Sequence, residues 1–440
     1  MDILTNIASF ILVLGVMIFF HEFGHFITAK AFGMRVFVFS FGFGKRLLGF
    51  RWGDTDCRLS AIPLGGYVKL EGEPDDRLSE DTSGLGDGRD FTARPRWQRF
   101  LVYVAGPFAN GVLTIAVLTG LYMVGFQVDA SLFDRPIVGA VDAGSPAQQA
   151  GLQPGDEIVA IDGKPQRSWE DAQYAILIRP EATIDLRVRR GAEERSVVVK
   201  AGADGVEKVG TIGVYPLVRL GAIQAGFPAE AAGLKPDDAI LRIGDTPIRS
   251  FLEIPPLVAS AAGKPLVLTI WRAGEVSELS VTPVDKGEGP RIGVGPKTIS
   301  KKLGLAPAVR EAARWSWGMT KQTFEILGRL LKRQISPKTM MGPLGIAKAS
   351  GDAARGGFGA LCYLVAVISL QVGIMNLFPL PPLDGGHLAI LLGEGVVRRD
   401  FSIEVKTWIM NAGAMALFLL IGLVLYSDLS KTSWLSKYLP

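Results

Sequence analysis

The stretch FFHEFGHFITAK, residues 19–30, places two histidines and a glutamate inside an otherwise apolar segment. An ionised side chain near the centre of a bilayer costs at least ~2.5–3.5 kcal/mol, so such residues usually have a function. His21 and His25 are one helical turn apart, so one metal ion can contact both imidazoles, and Glu22 lies beside them to activate a water molecule. Imidazole and carboxylate ligands around an open tetrahedral position favour zinc.

The composition indicates an integral membrane protein. Hydrophobic residues make up 48% of the 440 residues, the mean hydropathy is +0.28, and the apolar residues are bunched. The net charge of +4 comes without a basic stripe interleaved with aromatic residues, which argues against nucleic acid as a partner. Cys57 and Cys362 are too far apart in sequence to indicate a disulfide framework or a zinc knuckle.

Four segments are long and apolar enough to span a bilayer: about 3–29, 100–128, 361–380 and 408–426. The first lacks the basic start and the cleavage site of a signal peptide, so we expect it to be retained. Lysines and arginines follow the first span, precede the second and separate the third from the fourth. By the positive-inside rule these loops are cytoplasmic, and both termini and the long region 129–360 face outward.

The outward region contains an internal repeat. GSPAQQAGLQPGDEIVAIDGKP (144–165) aligns without gaps with GFPAEAAGLKPDDAILRIGDTP (226–247). Each copy resembles the PDZ domain in its bacterial, circularly permuted form, which binds an extended peptide at a sheet edge. The resemblance implies peptide-binding edge strands at Ile212, Gly213 and Val214 and at Ile292, Gly293 and Val294. The alternative is a pair of structural β-modules without a ligand.

Three further stretches have a distinct pattern. Residues 36–70 alternate apolar and polar side chains around Gly53–Asp54, which predicts a β-hairpin, and their content of Phe and Gly indicates association with the membrane. The acidic, glycine-rich segment 71–90 predicts a solvated loop. Residues 303–334 are amphipathic and predict an interfacial helix on the outer side.

The third metal ligand is expected in the stretch MNLFPLPPLDGGH, residues 375–387. Its prolines prevent a regular helix, and Gly385 and Gly386 let the backbone turn freely. Asp384 at membrane depth would be costly unless it coordinates an ion, so it is the favoured ligand. His387 is the other candidate, for which we favour a supporting or interfacial role.

Together these motifs resemble the site-2 protease family. The resemblance rests on HEFGH in the first span, N-x-x-P-x-P followed by LDG in the third, GFGK (42–45), AGPFANG (105–111) and the inserted PDZ pair. It implies one Zn²⁺ per chain, with Glu22 as catalytic base and with the ligands His21, His25 and Asp384. It further implies substrate-binding roles for Asn376, Pro379, Pro381, Gly42, Phe43 and Gly44.

The implied activity is that of an intramembrane zinc endopeptidase in the bacterial inner membrane, with its zinc near the cytoplasmic side. The family's substrates are single-span membrane proteins that an upstream site-1-type protease has already trimmed, such as an anti-sigma factor, and leftover signal peptides. The periplasmic PDZ pair would gate their access. The alternative is a membrane-tethered PDZ scaffold with a structural or vestigial metal site. A transporter is disfavoured by the large soluble insert and the absence of an inverted repeat.

The expected fold is therefore a multi-pass α-helical membrane protein with about four transmembrane helices, a membrane-associated β-rich loop and two β-rich permuted PDZ domains. The predicted segments are transmembrane helix 1 (1–30), the β-rich loop (31–97), transmembrane helix 2 (98–128), PDZ domain 1 (129–217), PDZ domain 2 (218–298), the interfacial amphipathic region (299–358), transmembrane helix 3 (359–397), a cytoplasmic loop (398–406), and transmembrane helix 4 with a periplasmic C-terminus (407–440).

Overall fold

The computed structural model describes residues 2–72, 88–125, 127–204, 209–287, 289–300, 302–332, 334 and 341–430. Of the acidic segment predicted as a loop, residues 73–87 lie outside the described residues. The chain forms two compact units, one made of residues 1–126, 302–325 and 340–440 and the other of residues 127–301 and 326–339.

The helices are α1 (Asp2–Ala31), α2 (Arg96–Val124), α3 (Ala130–Phe133), α4 (Pro146–Gln149), α5 (Trp169–Leu177), α6 (Pro228–Ala231), α7 (Ile254–Ser260), α8 (Leu305–Leu331), α9 (Pro343–Arg355), α10 (Phe358–Asn376), α11 (Asp384–Val397) and α12 (Ile403–Ser430). The strands are β1 (Val36–Trp52), β2 (Thr55–Leu70), β3 (Gln127–Asp129), β4 (Val138–Val141), β5 (Glu157–Ile161), β6 (Lys164–Pro165), β7 (Thr183–Arg190), β8 (Glu193–Lys200), β9 (Gly202–Asp204), β10 (Val209–Thr211), β11 (Val214–Pro216), β12 (Leu220–Ile223), β13 (Ala239–Ile243), β14 (Thr246–Pro247), β15 (Leu266–Arg272), β16 (Glu275–Val281), β17 (Val284–Asp285), β18 (Pro290–Arg291), β19 (Val294–Pro296) and β20 (Thr298–Ser300).

Within the described part of the chain, four helices are long and apolar enough to cross a membrane, namely α1, α2, α10 and α12, as the sequence predicts. The second span is shorter than predicted, because α2 ends at Val124 rather than continuing to residue 128. Gly125 takes a left-handed conformation with φ of 90°, and its N–H donates to the carbonyl of Leu121. A left-handed glycine is a common helix end, and β3 begins two residues later.

The predicted third membrane segment, 359–397, consists of two helices. The first, α10, ends at Asn376, and α11 begins at Asp384. The prolines between them lack the backbone N–H that a continuing helix requires, so the predicted break is confirmed.

The predicted role of Gly385 and Gly386 as free turning points is wrong. Both belong to α11, and neither has a positive φ. A Cβ atom on Gly385 would lie 2.2 Å from the carbonyl oxygen of Phe378. Glycine is needed there because the start of α11 packs directly on the end of α10.

The predicted hairpin is present, with Gly53 at φ of 59° in its turn, but it is folded further into a small sheet. Phe39 pairs both with Cys57 and with Val68, so the first half of β1 has a neighbour on each side. The order of strand segments is therefore 46–52, 55–60, 36–41 and 66–70. Its exposed large apolar side chains include Leu47, Leu48, Phe50, Trp52 and Ile62, a patch that is typical of a surface in contact with a membrane or a partner.

The predicted amphipathic region 299–358 forms two helices, α8 and α9. Small side chains form the buried face of α8, namely Ala308, Ala312, Ser316 and Thr323. Trp315 packs edge-on against Tyr363 of α10, with ring centroids 5.7 Å apart, whereas Trp317 is exposed. The first part of α8 is thus attached to the spanning helices through small residues.

The internal repeat is confirmed in the second unit. Each copy has a four-stranded sheet of the same order, β6-β5-β7-β8 in the first and β14-β13-β15-β16 in the second. Each also has its own apolar core, in which Ile158 and Leu186 of the first copy correspond to Ile240 and Leu268 of the second. Equal apolar spacing in the two copies therefore produces equal packing.

The Asp of the repeated Gly-Leu-x-Pro-x-Asp motif has a structural role. Asp156 and Asp238 are buried, and each accepts a backbone N–H from three residues earlier. Arg190 donates to both carboxylate oxygens of Asp156 at 2.6 and 2.7 Å, and Arg272 does the same with Asp238. Bidentate pairing compensates a buried carboxylate for its lost hydration.

The predicted edge strands start later than expected. Strands β11 and β19 begin at Val214 and Val294, because Gly213 and Gly293 have left-handed φ values of 75° and 84°. The carbonyl of Ile212 accepts the N–H of Ala147 instead. The two strands pair on one side with β4 and β12, respectively.

The two copies contact each other within their unit. Ile137 and Leu217 share a buried apolar cluster with Ala239 and Leu241 of the second copy. Strand β3, at the entry of the unit, pairs with β20 at its exit. The repeat pair is thus closed by its own first and last strands.

Candidate metal centre

Three of the predicted site residues lie together in the first unit. His21 and His25 project from the same face of α1, and Asp384 is the first residue of α11. The two Nε2 atoms are 3.3 Å apart, and Asp384 Oδ2 lies 3.2 Å from that of His21 and 3.5 Å from that of His25. Helix α11 thus brings a carboxylate onto two imidazoles from a distant part of the chain.

The other ring nitrogen of each histidine is held by α2. Nδ1 of His25 donates to the carbonyl of Val102 at 2.7 Å, and the side-chain amide of Asn110 lies 3.2 Å from Nδ1 of His21. Engaging Nδ1 leaves both Nε2 atoms directed at Asp384. Such outer contacts set the tautomer and the orientation of a metal-binding imidazole.

Helix α2 can approach the histidines because of glycine. A Cβ atom on Gly106 would lie 2.2 Å from Nε2 of His25, and one on Gly24 would lie 2.3 Å from the carbonyl oxygen of Ala105. Both distances are far below van der Waals contact. The α1–α2 crossing at the centre therefore requires glycine on both helices.

The geometry fits a zinc ion. Tetrahedral zinc with ligand bonds of about 2.0–2.1 Å has ligand atoms about 3.3 Å apart, close to the three separations observed. Asp384 Oδ2 is buried and has no hydrogen-bond donor among the described residues. A buried carboxylate oxygen that faces two imidazole nitrogens without a donor is the arrangement that a cation completes.

Glu22 lies next to segment 66–70, the edge strand segment of the small sheet. A Cβ atom on Gly66 would lie 2.8 Å from Cγ of Glu22 and 3.2 Å from Cγ2 of Ile18. The edge segment 66–70 therefore runs beside α1 at the level of the histidines. Glycine at this position leaves room for the Glu22 side chain.

The structure places the predicted substrate-binding residues in different surroundings. Asn376 is the half-buried last residue of α10, and Pro379 is exposed. Pro381 is buried: a Cβ atom on Gly413 of α12 would lie 2.4 Å from its carbonyl oxygen. Packing against α12 leaves Pro381 little exposed surface, and its substrate-binding role stays a prediction.

The GFG stretch forms the bend between two segments of the small sheet. Gly42 and Gly44 have left-handed φ values of 90° and 86°. Between them, Phe43 is 44% exposed and its ring stacks on that of Tyr67, with centroids 5.9 Å apart. The bend therefore presents an aromatic surface above the strand segment that adjoins Glu22.

Sequence reasoning did not assign a role to Val102, Gly106 or Asn110. The signal was nevertheless present in AGPFANG, a cluster of small residues with one amide inside an apolar span. Among the described residues, the cluster of possible metal ligands consists of His21, His25 and Asp384 and does not include His387. Its ring stacks on Tyr103 with centroids 4.9 Å apart, and its supporting or interfacial role stays a prediction.

The second repeat copy has a groove of its own. A cavity of about 580 Å³ lies between α7 and the segment 291–295. Ile292, Gly293 and Val294 line it on one side, and Ile254 and Val258 line it on the other. An apolar groove between a strand and a helix can receive an extended peptide.

An H-E-x-x-H pair on a helix long and apolar enough to span a bilayer, with an aspartate from another helix as the third ligand, defines a membrane-bound zinc metalloprotease. Residues 9–420 match Peptidase family M50, and the chain belongs to this family, the site-2 proteases. It is 32% identical to the regulator of sigma-E protease RseP of Escherichia coli K12, over 98% of this chain and 100% of that protein. The RseP protein of Salmonella typhimurium is also 32% identical, with the same coverage. A Neisseria meningitidis protein whose name describes it as a zinc metalloprotease is 31% identical, over 97% of this chain and 99% of that protein.

Proposed function

We propose that this protein is an intramembrane endopeptidase that cleaves the transmembrane segments of single-span proteins in the bacterial inner membrane. The observation that carries the proposal is the cluster of His21, His25 and Asp384 with Glu22 beside it. The histidines and Glu22 lie on α1, which is long and apolar enough to span a bilayer, and Asp384 begins α11. A structural metal site has no need of a non-ligand carboxylate at this position.

The residues divide the chemistry between them. His21, His25 and Asp384 would hold one Zn²⁺, which when bound polarises the scissile carbonyl and lowers the pKa of a water to about 7. Glu22 takes a proton from the attacking water and delivers it to the leaving amine as the C–N bond breaks. Val102 and Asn110 keep the imidazoles oriented throughout.

The small sheet would receive the substrate. A transmembrane helix has its amides hydrogen-bonded internally, so it must unwind before its peptide bonds can be attacked. Segment 66–70 is the outer strand segment of the sheet and lies beside Glu22. Pairing with this edge would replace the hydrogen bonds that unwinding breaks. Phe43 and its flanking glycines would form the entrance. Asn376 and Pro379 would contact the substrate from the other side.

The repeat copies would select the substrate. Their shared fold, the side of β19 that no described strand pairs with and the groove of the second copy support permuted PDZ domains. By the positive-inside rule these domains would face the periplasm. They would exclude proteins whose outer domain an upstream protease has not trimmed. Because relatives bear the name regulator of sigma-E protease, an anti-sigma factor is the proposed substrate, with signal-peptide remnants as others.

Cleavage of a tagged single-span substrate in detergent tests the proposal, with wild type compared to Glu22→Gln and Asp384→Asn. Zinc content is measured on the same samples, and the control is Glu193→Gln, a change of the exposed first residue of β8 in the first copy. We expect cleavage by wild type and control alone, with zinc retained in Glu22→Gln and reduced in Asp384→Asn. Equal cleavage by all four proteins would refute the assignment; a wild type that binds zinc but cleaves no single-span substrate would favour the scaffold alternative.

A further inference from the structure

A second cavity lies in the first unit, between α2, α11 and α12. Its volume is about 170 Å³. Its lining includes His387, one turn beyond Asp384 on α11, and Tyr103, next to the residue that binds His25. Charged residues reach it from all three helices, namely Arg99, Glu394 and Lys406. The proteolytic chemistry described above uses none of these three.

Arg99 is the unusual member of this group. It is only 7% exposed, and its Nε has no hydrogen-bond partner among the described residues. Over the ranges that the structure describes, no acidic side chain forms an ion pair with it. Asp400 is hydrogen-bonded to Arg96 at 2.6 Å instead. A buried guanidinium N–H without an acceptor is costly unless a ligand supplies one.

The remaining charges in the cavity are already matched. Glu394 is buried, pairs with Lys406 at 2.7 Å and accepts the N–H of Phe401 at 2.9 Å. Because that pair is neutral, Arg99 leaves one uncompensated positive charge. Arg99 and Lys406 also lie in the first turns of α2 and α12, where the helix dipole favours an anion.

The surroundings match a membrane surface. Trp97, in the first turn of α2, is 57% exposed, and Trp408, in the second turn of α12, is 77% exposed. Exposed tryptophans near span ends are typical of the headgroup layer. The cavity wall also contains apolar side chains, namely Phe91, Ile390, Leu391 and Met410. Charge beside apolar surface fits an amphiphile better than a fully hydrated ion.

We propose that this cavity binds the phosphate of an anionic phospholipid of the adjacent leaflet, with the Arg99 guanidinium as the principal donor. A phosphodiester carries one negative charge, which matches the uncompensated charge of Arg99, and guanidinium binds phosphate oxygens through two parallel hydrogen bonds. A bound lipid would brace α2 against α12 around α11, the helix that carries Asp384. Inorganic phosphate shares this chemistry, so the test separates the two sources.

The test is native mass spectrometry of the purified full-length protein in nonionic detergent, titrated with dioleoylphosphatidylglycerol, with dioleoylphosphatidylcholine or with inorganic phosphate. Wild type is compared with Arg99→Gln, Arg99→Lys and Arg399→Gln. The last removes the same charge from an exposed residue outside the cavity. We expect one phosphatidylglycerol bound in preference to phosphatidylcholine, about tenfold weaker in Arg99→Gln, partly restored in Arg99→Lys and unchanged in Arg399→Gln.

Three results would overturn the proposal. The first is equal phosphatidylglycerol binding by wild type and an Arg99→Gln protein that retains its zinc and its elution volume. The second is saturation by inorganic phosphate without a lipid preference, which assigns the cavity to a free anion. The third is a cavity that binds a peptide through its C-terminal carboxylate, does not bind the same peptide with an amidated C-terminus, and does not respond to either lipid. Absence of a lipid preference in wild type decides against the proposal even if Arg99→Gln fails to fold.

Discussion

Asn110 and Asp384 hold opposite ends of the same imidazole. The amide of Asn110 lies 3.2 Å from Nδ1 of His21, and Asp384 Oδ2 lies 3.2 Å from Nε2. When Nε2 binds a metal, Nδ1 carries the proton and needs an acceptor. Asn110 Oδ1 has no hydrogen-bond donor among the described residues. If the side-chain amide is rotated so that Oδ1 faces Nδ1 of His21, Oδ1 accepts the Nδ1 proton and both atoms have a partner.

Replacing Asn110 therefore tests how the centre is oriented. We expect Asn110→Ala to weaken zinc binding by about 10–100-fold, the usual effect of removing an outer partner of a metal ligand, and to lower cleavage accordingly. Asn110→Asp, which keeps an acceptor for the Nδ1 proton, should restore most of the affinity. Zinc affinity is measured by competition with a chelator. Equal loss in the two variants would show that the amide does not act as an acceptor.

Close packing at the centre gives a second prediction, with a control in the same helix. Gly106→Ala would place a methyl group 2.2 Å from Nε2 of His25, so zinc content and cleavage should both fall. Gly111→Ala meets no atom within 4 Å and should leave both unchanged, with a stability gain of up to about 1 kcal/mol from helix propensity. Wild-type zinc content in Gly106→Ala would show that the helices separate without disturbing the ligands.

Asp428 gives a prediction about helix α9. Its carboxylate accepts the N–H groups of Gly342, Leu344 and Gly345 at 3.1–3.2 Å, at the first turn of α9. Loss of a capping side chain costs about 0.5–2 kcal/mol. We expect Asp428→Ala to lower the thermal unfolding temperature in detergent, and Asp428→Asn, which keeps one acceptor oxygen, to lower it less. Unchanged unfolding in Asp428→Ala would mean that α9 is held by its packing alone.

The buried ion pair of the second repeat gives a pH dependence. Burial raises the pKa of Asp238, but hydrogen bonds from the Arg272 side chain and the Lys235 N–H outweigh it and hold that pKa below its usual value. A carboxyl whose pKa is depressed by folding stabilises the folded state above its unfolded pKa, about 3.9. That stability is lost as the pH falls through the folded pKa.

The protection factors of the β13 amides, which relate the observed exchange rate to the intrinsic rate at the same pH, should therefore be high at neutral pH and fall below about pH 4. Arg272→Gln should lower these protection factors at neutral pH and flatten their pH dependence. The control is Arg190→Gln, which breaks the equivalent pair in the first copy and should leave β13 unaffected. A steep pH dependence that persists in Arg272→Gln would assign the effect to another group.

Local and repeated features could be predicted from the sequence alone. His21, Glu22 and His25 lie within five residues of one helix, so helical periodicity alone brings them together. The repeat and the proline break before Asp384 follow from patterns a few residues long or from direct self-similarity. These predictions depend on backbone geometry that the local sequence dictates.

Only the tertiary structure decided what comes from distant parts of the chain. Val102, Gly106 and Asn110 support the histidines because α2 crosses α1 at a glycine contact, and no short motif encodes that crossing. The burial of Pro381 under α12 and the late start of β11 depend likewise on non-local packing and hydrogen bonds. In the sequence Arg99 is one more positive charge beside a span. Its burial without an ion-pair partner among the described residues results from the packing of α2, α11 and α12 around it.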